Sequence, residues 1–154
     1  VDEIGFRTIE TKGRQILLNG KPVFLKGISI HEEAPFRSGR ICSEEEDLTL
    51  LNWAKELGCN YVRLAHYPHN EKMVRLAEKM GLMVWSEIPV YWTIQWENED
   101  TYQNAHNQLM EMIERDQNRA AVIIWSMKHL MEMPVTGSCL IWQKQLVKRI
   151  THVY

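Results

Sequence analysis

Asn60-Tyr61-Val62-Arg63-Leu64 and Leu82-Met83-Val84-Trp85-Ser86-Glu87, with the amphipathic stretch between them, decide the fold of this 154-residue chain. Each run is short, apolar and rich in β-branched or aromatic residues, the mark of a buried strand. Between them, over about residues 70–80, Met73, Leu76, Ala77 and Met80 recur on one helical face, and Gly81 closes the helix. Strand, helix, strand in that order predicts a parallel pair joined by a right-handed crossover.

The alternation continues on both sides. Upstream, Val23-Phe24-Leu25-Lys26-Gly27-Ile28-Ser29-Ile30 reads as a first buried strand, and residues 31–42 as a loop. Ser43-Glu44-Glu45-Glu46 is a capping box, in which the serine hydroxyl and the third-position glutamate satisfy orphan N–H groups at a helix start. Leu48, Leu51, Ala54 and Leu57 then form one stripe, and Gly58 is its C-cap. Downstream lie an aromatic loop over about residues 88–100 and a helix over about residues 101–118. That helix turns Ala105, Leu109, Met112 and Ile113 inward. Ala121-Val122-Ile123-Ile124-Trp125 is a fourth strand, and residues 140–150 read as a fourth helix. Continuous apolar strands alternating with helices imply a doubly wound sheet or a (β/α) barrel. A complete eightfold barrel takes about 250 residues, and residues 23–154 hold four units. The expected fold is therefore α/β, a partial (β/α)8 TIM barrel preceded by a short β-hairpin. Residues 1–22 stand apart as the tail of a preceding β domain and a capping hairpin. There Gly5-Phe6-Arg7-Thr8-Ile9-Glu10 alternates like a strand, and Asn19-Gly20 supplies a tight turn.

Composition excludes several classes. Apolar residues make up 45% and charged residues 25%, as in a globular domain. Eighteen Lys+Arg against twenty Asp+Glu leaves a net charge of −2, with no basic excess to neutralise a phosphate backbone. Nucleic acid is not an expected partner. No apolar run approaches the roughly 20 residues of a membrane span, and Val1-Asp2-Glu3 is no signal peptide. The expected compartment is cytoplasm or periplasm. Cys42, Cys59 and Cys139 read as small buried hydrophobes, not as a disulfide frame or zinc site.

The chemistry-bearing residues gather where strands end. The first strand runs into His31-Glu32-Glu33, the second into Arg63 and His66-Tyr67-Pro68-His69, the third into Ser86-Glu87, and the fourth into Trp125-Ser126. In parallel α/β folds these ends share one rim, where active sites sit. Singly, each residue has a plainer use: Arg63 as half of a structural ion pair with Glu87, His66 and His69 packed under a loop, Glu32 and Glu33 solvated. Together on one rim they read as a site. Tyr91, Trp92 and Trp96 in the loop suit stacking on a sugar face, or packing within the loop.

Gly5-Phe6-Arg7, Leu18-Asn19-Gly20-Lys21-Pro22, Lys26-Gly27-Ile28-Ser29-Ile30-His31-Glu32, Asn60-Tyr61-Val62-Arg63, His66-Tyr67-Pro68, Ser86-Glu87-Ile88-Pro89 and Val122-Ile123-Ile124-Trp125-Ser126 occur in that order. Together they closely resemble glycoside hydrolase family 2, the β-galactosidase, β-glucuronidase and β-mannosidase group. The resemblance implies a TIM-barrel catalytic domain after an immunoglobulin-like β-sandwich, with a β-glycoside or oligosaccharide as partner. It implies retaining hydrolysis by two glutamates about 5–5.5 Å apart. It also implies substrate-hydroxyl contacts at His31 and His66, a carboxylate-orienting Arg63 supported by Asn60, and a sugar-subsite indole at Trp125. Glu87 resembles a carboxylate that in some members binds a divalent cation or substrate. The family's Trp-Ser-x-x-Asn-Glu is replaced here by Trp125-Ser126-Met127-Lys128-His129-Leu130, with leucine in the place of the acid/base. Glu132, two residues on, is the displaced candidate, and the nucleophile belongs to a later strand. By itself the chain is expected to be inactive.

Two other readings remain at this point. One is a metal-dependent barrel hydrolase using His31, His66, His69 and Glu87. The other is a non-catalytic half-barrel that self-associates through its open edges.

Overall fold

The computed structural model describes residues 3–91 and 94–127. Trp92, Glu132, Cys139 and the expected helix over residues 140–150 lie outside the described residues.

Two sheets are present among the described residues. The first is an antiparallel meander of β1 (Ile9–Lys12), β2 (Gln15–Leu18) and β3 (Lys21–Val23). Asn19 and Gly20 turn β2 into β3 with φ of 50° and 73°, the twist that a two-residue hairpin needs. The expected strand over residues 5–10 starts only at Ile9. Upstream of it the chain is committed elsewhere: the Gly5 N–H donates to Asn118 O (3.3 Å), and the Arg7 guanidinium donates to Val122 O. These bonds strap the N-terminal segment across the base of the second sheet.

That second sheet is parallel, in the order β4 (Gly27–Ile30), β5 (Tyr61–Leu64), β6 (Met83–Glu87), β7 (Val122–Ser126). The connections carry α1 (Glu44–Glu56), α2 (Glu71–Lys79) and α3 (Glu99–Asp116). Spatial order follows chain order with no reversal. A doubly wound sheet has such a reversal at its switch point, so this is the singly wound topology of a barrel. The first buried strand is shorter than the apolar run predicts, because Phe24–Lys26 is held outside the ladder. Asn60 accepts from the Lys26 N–H (2.8 Å) and donates to Phe24 O (2.9 Å).

Each helix begins on a side-chain cap. Ser43, Asn70 and Asn98 accept from the N–H groups of Glu46, Met73 and Thr101, which satisfies orphan donors. Gly58 and Gly81, at φ of 77° and 69°, end α1 and α2. The Cys59 and Leu82 N–H groups return to Ala54 O and Ala77 O, the Schellman pattern. Val62, Leu64 and Val84 turn to the helices and are buried with Leu51, Ala54, Met73, Val74 and Ala77. Leu57, assigned to the same stripe from sequence, is 70% exposed because it sits at the C-cap, past the helix's buried face. The opposite sheet face carries Gly27, Ser29, Tyr61, Arg63, Met83 and Trp85, paired across the strands. A Cβ on Gly27 would fall 2.3 Å from the Tyr61 ring, so only glycine fits there.

Candidate active-site rim

Glu87 is the last residue of β6 and stands on the inward face, two residues beyond Trp85. Its side chain is 2% exposed. Arg63 pairs with Trp85 in the β5–β6 ladder, so the two side chains share that face. The guanidinium lies 4.6 Å from the Trp85 ring centroid, in cation–π range. From there Arg63 Nη2 donates to both Glu87 oxygens at 2.9 Å, and Nε donates to Oε2 at 3.2 Å. His66 Nδ1 lies 3.1 Å from Glu87 Oε1 and 3.3 Å from Arg63 Nη2. Nδ1 thus sits between a carboxylate oxygen and a guanidinium nitrogen, where a proton on it would be donated to Glu87.

The stack opens outward. Side-chain exposure rises from 2% at Glu87 through 16% at Arg63 and 28% at His66 to 47% at His31. The His31 and His66 rings meet edge to face at 5.0 Å, and Tyr91 lies 6.0 Å from His66. The rim thus presents two imidazoles and a phenol above a carboxylate neutralised by arginine. Such a surface offers donors and acceptors to hydroxyl groups without net charge at its floor.

The other candidates are placed as follows. Asn60, grouped with the binding residues in sequence, precedes β5 and sits at the opposite end of the strand from His66. Its side-chain bonds are spent on the Phe24 and Lys26 backbone. Trp125 pairs with Ser86 rather than with Glu87, so it stands on the helix-facing side of the sheet. There it packs against both apolar clusters. Trp96 packs against the apolar cluster that includes Ile88, Val90 and Leu109, which is the loop-packing use. Cys59 is buried as expected; Cys42 is exposed, in the turn before α1, with Arg37 Nη2 2.9 Å from its sulfur.

Glu32 is a correction. It is not solvated but 2% exposed. Its carboxylate accepts from the Asn70 N–H and the Arg40 guanidinium. Burial alone would raise its pKa, yet these donors hold it below the ordinary range. Asn70 also donates to Asp47 Oδ1 at 3.1 Å, and burial pushes Asp47 up to about 6. His69 is 2% exposed and donates from Nε2 to Ala65 O (2.9 Å); burial lowers it to about 4. Among the described residues, no three His, Cys, Asp or Glu side chains are arranged to hold a metal ion. Sequence reasoning missed Trp85 as the platform under Arg63, although its i, i+2 spacing to Glu87 was the available signal. It also missed Arg40, ten residues past β4, whose sequence carries no such signal.

Four adjacent parallel strands with a polar cluster on their C-terminal rim define part of a (β/α)8-barrel catalytic domain. The chain belongs to glycosyl hydrolases family 2, whose TIM barrel domain model matches residues 9–129. A β-glucuronidase from Streptococcus agalactiae is 36% identical over 140 residues, covering 80% of this chain and 23% of that protein. A β-galactosidase from Photobacterium profundum is 33% identical over 136 residues, covering 81% and 13%. The Ruminococcus gnavus β-glucuronidase solved with D-glucaro-d-lactam superposes with a TM-score of 0.85 at 28% identity, over 96% of this chain and 25% of that one. The chain thus spans about a quarter or less of the length of these relatives.

Proposed function

We propose that the rim formed by His31, Arg63, His66 and Glu87 is part of the sugar-binding site of a β-glycoside hydrolase. The observation that carries this reading is the cluster itself: Arg63 on β5 and His66 just after it converge on the Glu87 carboxylate at the end of β6, and His31, just past β4, packs edge to face on His66. The imidazoles, His31 and His66, bind sugar hydroxyls. Arg63 holds the Glu87 carboxylate in one orientation, and Glu87 in turn orients the His66 ring through Nδ1. The hydrolysis of an O-glycosidic bond belongs to the whole enzyme, with Glu132 as the displaced acid/base candidate. The relatives named β-glucuronidase favour a uronic acid as the sugar, and β-galactosides are the comparison.

A metal-dependent hydrolase is not favoured. It needs His69 beside His31, His66 and Glu87, whereas the His69 ring is buried and bonded to Ala65 O. A divalent cation at Glu87 would have to displace Arg63 from both carboxylate oxygens. We further propose that residues 1–22 end a preceding β domain and cap the barrel base. The outer edges of β4 and β7, unpaired among the described residues, take further strands, from the rest of a barrel or from a second copy.

Calorimetric titration of the chain with D-glucuronic acid and with methyl β-D-galactoside tests the reading. Saturable binding that His66→Ala removes is expected; binding indifferent to that substitution contradicts it. With nitrophenyl β-glycosides the chain alone should show no turnover, and hydrolysis abolished by Glu132→Gln would overturn that expectation.

A further inference from the structure

His31 has little of its own to hold it. Its side chain is about half exposed, and its one polar contact among the described residues is Glu33 Oε1 at 3.8 Å, beyond hydrogen-bond length. Yet its ring meets His66 at 5.0 Å and Tyr67 at 6.5 Å, both edge to face. A ring with no bond of its own is placed by its backbone, and that backbone is tied at the next residue.

We propose that Glu32 is the positioning residue for His31, setting its imidazole against His66 by tying the end of β4 to the following loop and to the start of α2. Every polar group of Glu32 is engaged. Its N–H donates to the Tyr67 hydroxyl (3.3 Å), and its carbonyl accepts from the Ile41 N–H (3.4 Å). The carboxylate accepts from Arg40, across the loop that the Glu33–Arg40 bridge closes, and from the Asn70 N–H. Asn70 is the N-cap of α2 and reaches Asp47 on α1. One side chain therefore joins β4, the loop over residues 33–41, α2 and, through Asn70, α1. Strand alternation sends this side chain behind the sheet and His31 toward the rim. Arg40 and the Asn70 N–H are both donors, so the site requires an anion that only accepts. An amide there would turn its NH2 against one of them.

This role rests on the preceding section's reading of the rim for its consequence, which is sugar affinity, but its geometry is testable without sugar. The experiment is NMR on the full chain with labelled histidine, comparing nuclear Overhauser contacts between rings. In the wild type, His31–His66 and His66–Tyr91 contacts are both expected. In Glu32→Gln, the His31–His66 and His31–Tyr67 contacts should fall several-fold while His66–Tyr91 persists. Wild-type His31–His66 intensity would overturn the proposal. So would parallel loss of His66–Tyr91, which would mean general loosening. Arg40 has an exposed side chain, so Arg40→Gln removes the charge and shortens the reach of one donor with little risk to folding and should give an intermediate loss. If Glu32→Gln does not fold, an unchanged His31–His66 contact in Arg40→Gln overturns the assignment. Titration with D-glucuronic acid separates the two claims. About fivefold weaker binding in Glu32→Gln is expected. Absence of binding in the wild type would sink the sugar-site reading and leave the ring contacts to decide the positioning role.

Discussion

Glu87 and Glu32 invite comparison. Both are glutamates at the C-terminal end of a barrel strand, both are about 2% exposed, and both are held by an arginine and a second donor. Their neighbours differ. Glu87 stands on the inward face, and its partners Arg63 and His66 come from the adjacent strand and the turn after it. Glu32 stands behind the rim, and its partners come from a loop and a helix N-terminus. The Arg63 side chain is 16% exposed and stacked on Trp85, whereas that of Arg40 is 66% exposed. In the proposed reading the first carboxylate underlies the rim that a ligand would meet, and the second supports that rim from behind the sheet. Burial and arginine pairing alone do not tell them apart, and the side of the sheet does.

Arg63→Ala should be the most damaging change. It strands the buried Glu87 charge, for which a loss of about 3–5 kcal/mol is expected in urea unfolding. Glu32→Gln should cost less, about 1–3 kcal/mol, since one donor loses its acceptor while the rest of the tie survives. If the two variants lost equal stability, the contrast between rim and support would fail.

Asp47 and His69 sharpen the comparison through pH. Asp47 is raised to about 6 from 3.8. The folded state therefore keeps a proton that the unfolded chain releases, and stability falls as pH rises from about 4 to 6. Asp47→Asn should raise stability at pH 7 by about 1 kcal/mol, allowing for solvent screening, with no gain near pH 3.5. His69 is lowered to about 4 from 6.5. Its contribution is complete above pH 6.5 and is lost as pH falls toward 4. The two slopes oppose each other, so thermal midpoints between pH 6.5 and 4 should decline more steeply in Asp47→Asn than in the wild type. At the bottom of the scale, Arg75→Ala breaks the Arg75–Glu71 pair one turn apart on α2. It should cost about 0.3–0.5 kcal/mol, less in high salt.

Much of this was legible in the sequence, and the reason is periodicity. Met73, Leu76 and Ala77, or Ala105, Leu109, Met112 and Ile113, repeat at helical spacing because one face is buried, and both sets are buried. Parallel strands of continuous apolar residues announced the barrel sheet, and strand ends announced the rim. The rest depended on facing and register. Trp125 follows an irregularity in the β6–β7 pairing, where Val84 pairs with Val122 but Trp85 with Ile124. That one-residue shift sets which way its indole points, and no local pattern encodes it. Asn60 reads like any polar residue before a strand, and its clamp on Phe24 and Lys26 arises from a segment over thirty residues away. Glu32 looked solvated beside Glu33 because its partners, Arg40 and Asn70, reach it only through the fold.

The most direct test of the central claim is to observe ligand-to-protein nuclear Overhauser contacts from D-glucuronic acid bound to the full chain. Contacts to the His31 and His66 rings together, and none to His69 or His106, are predicted. Contacts confined to other histidines, or to only one of the rim pair, would contradict a shared sugar-binding rim.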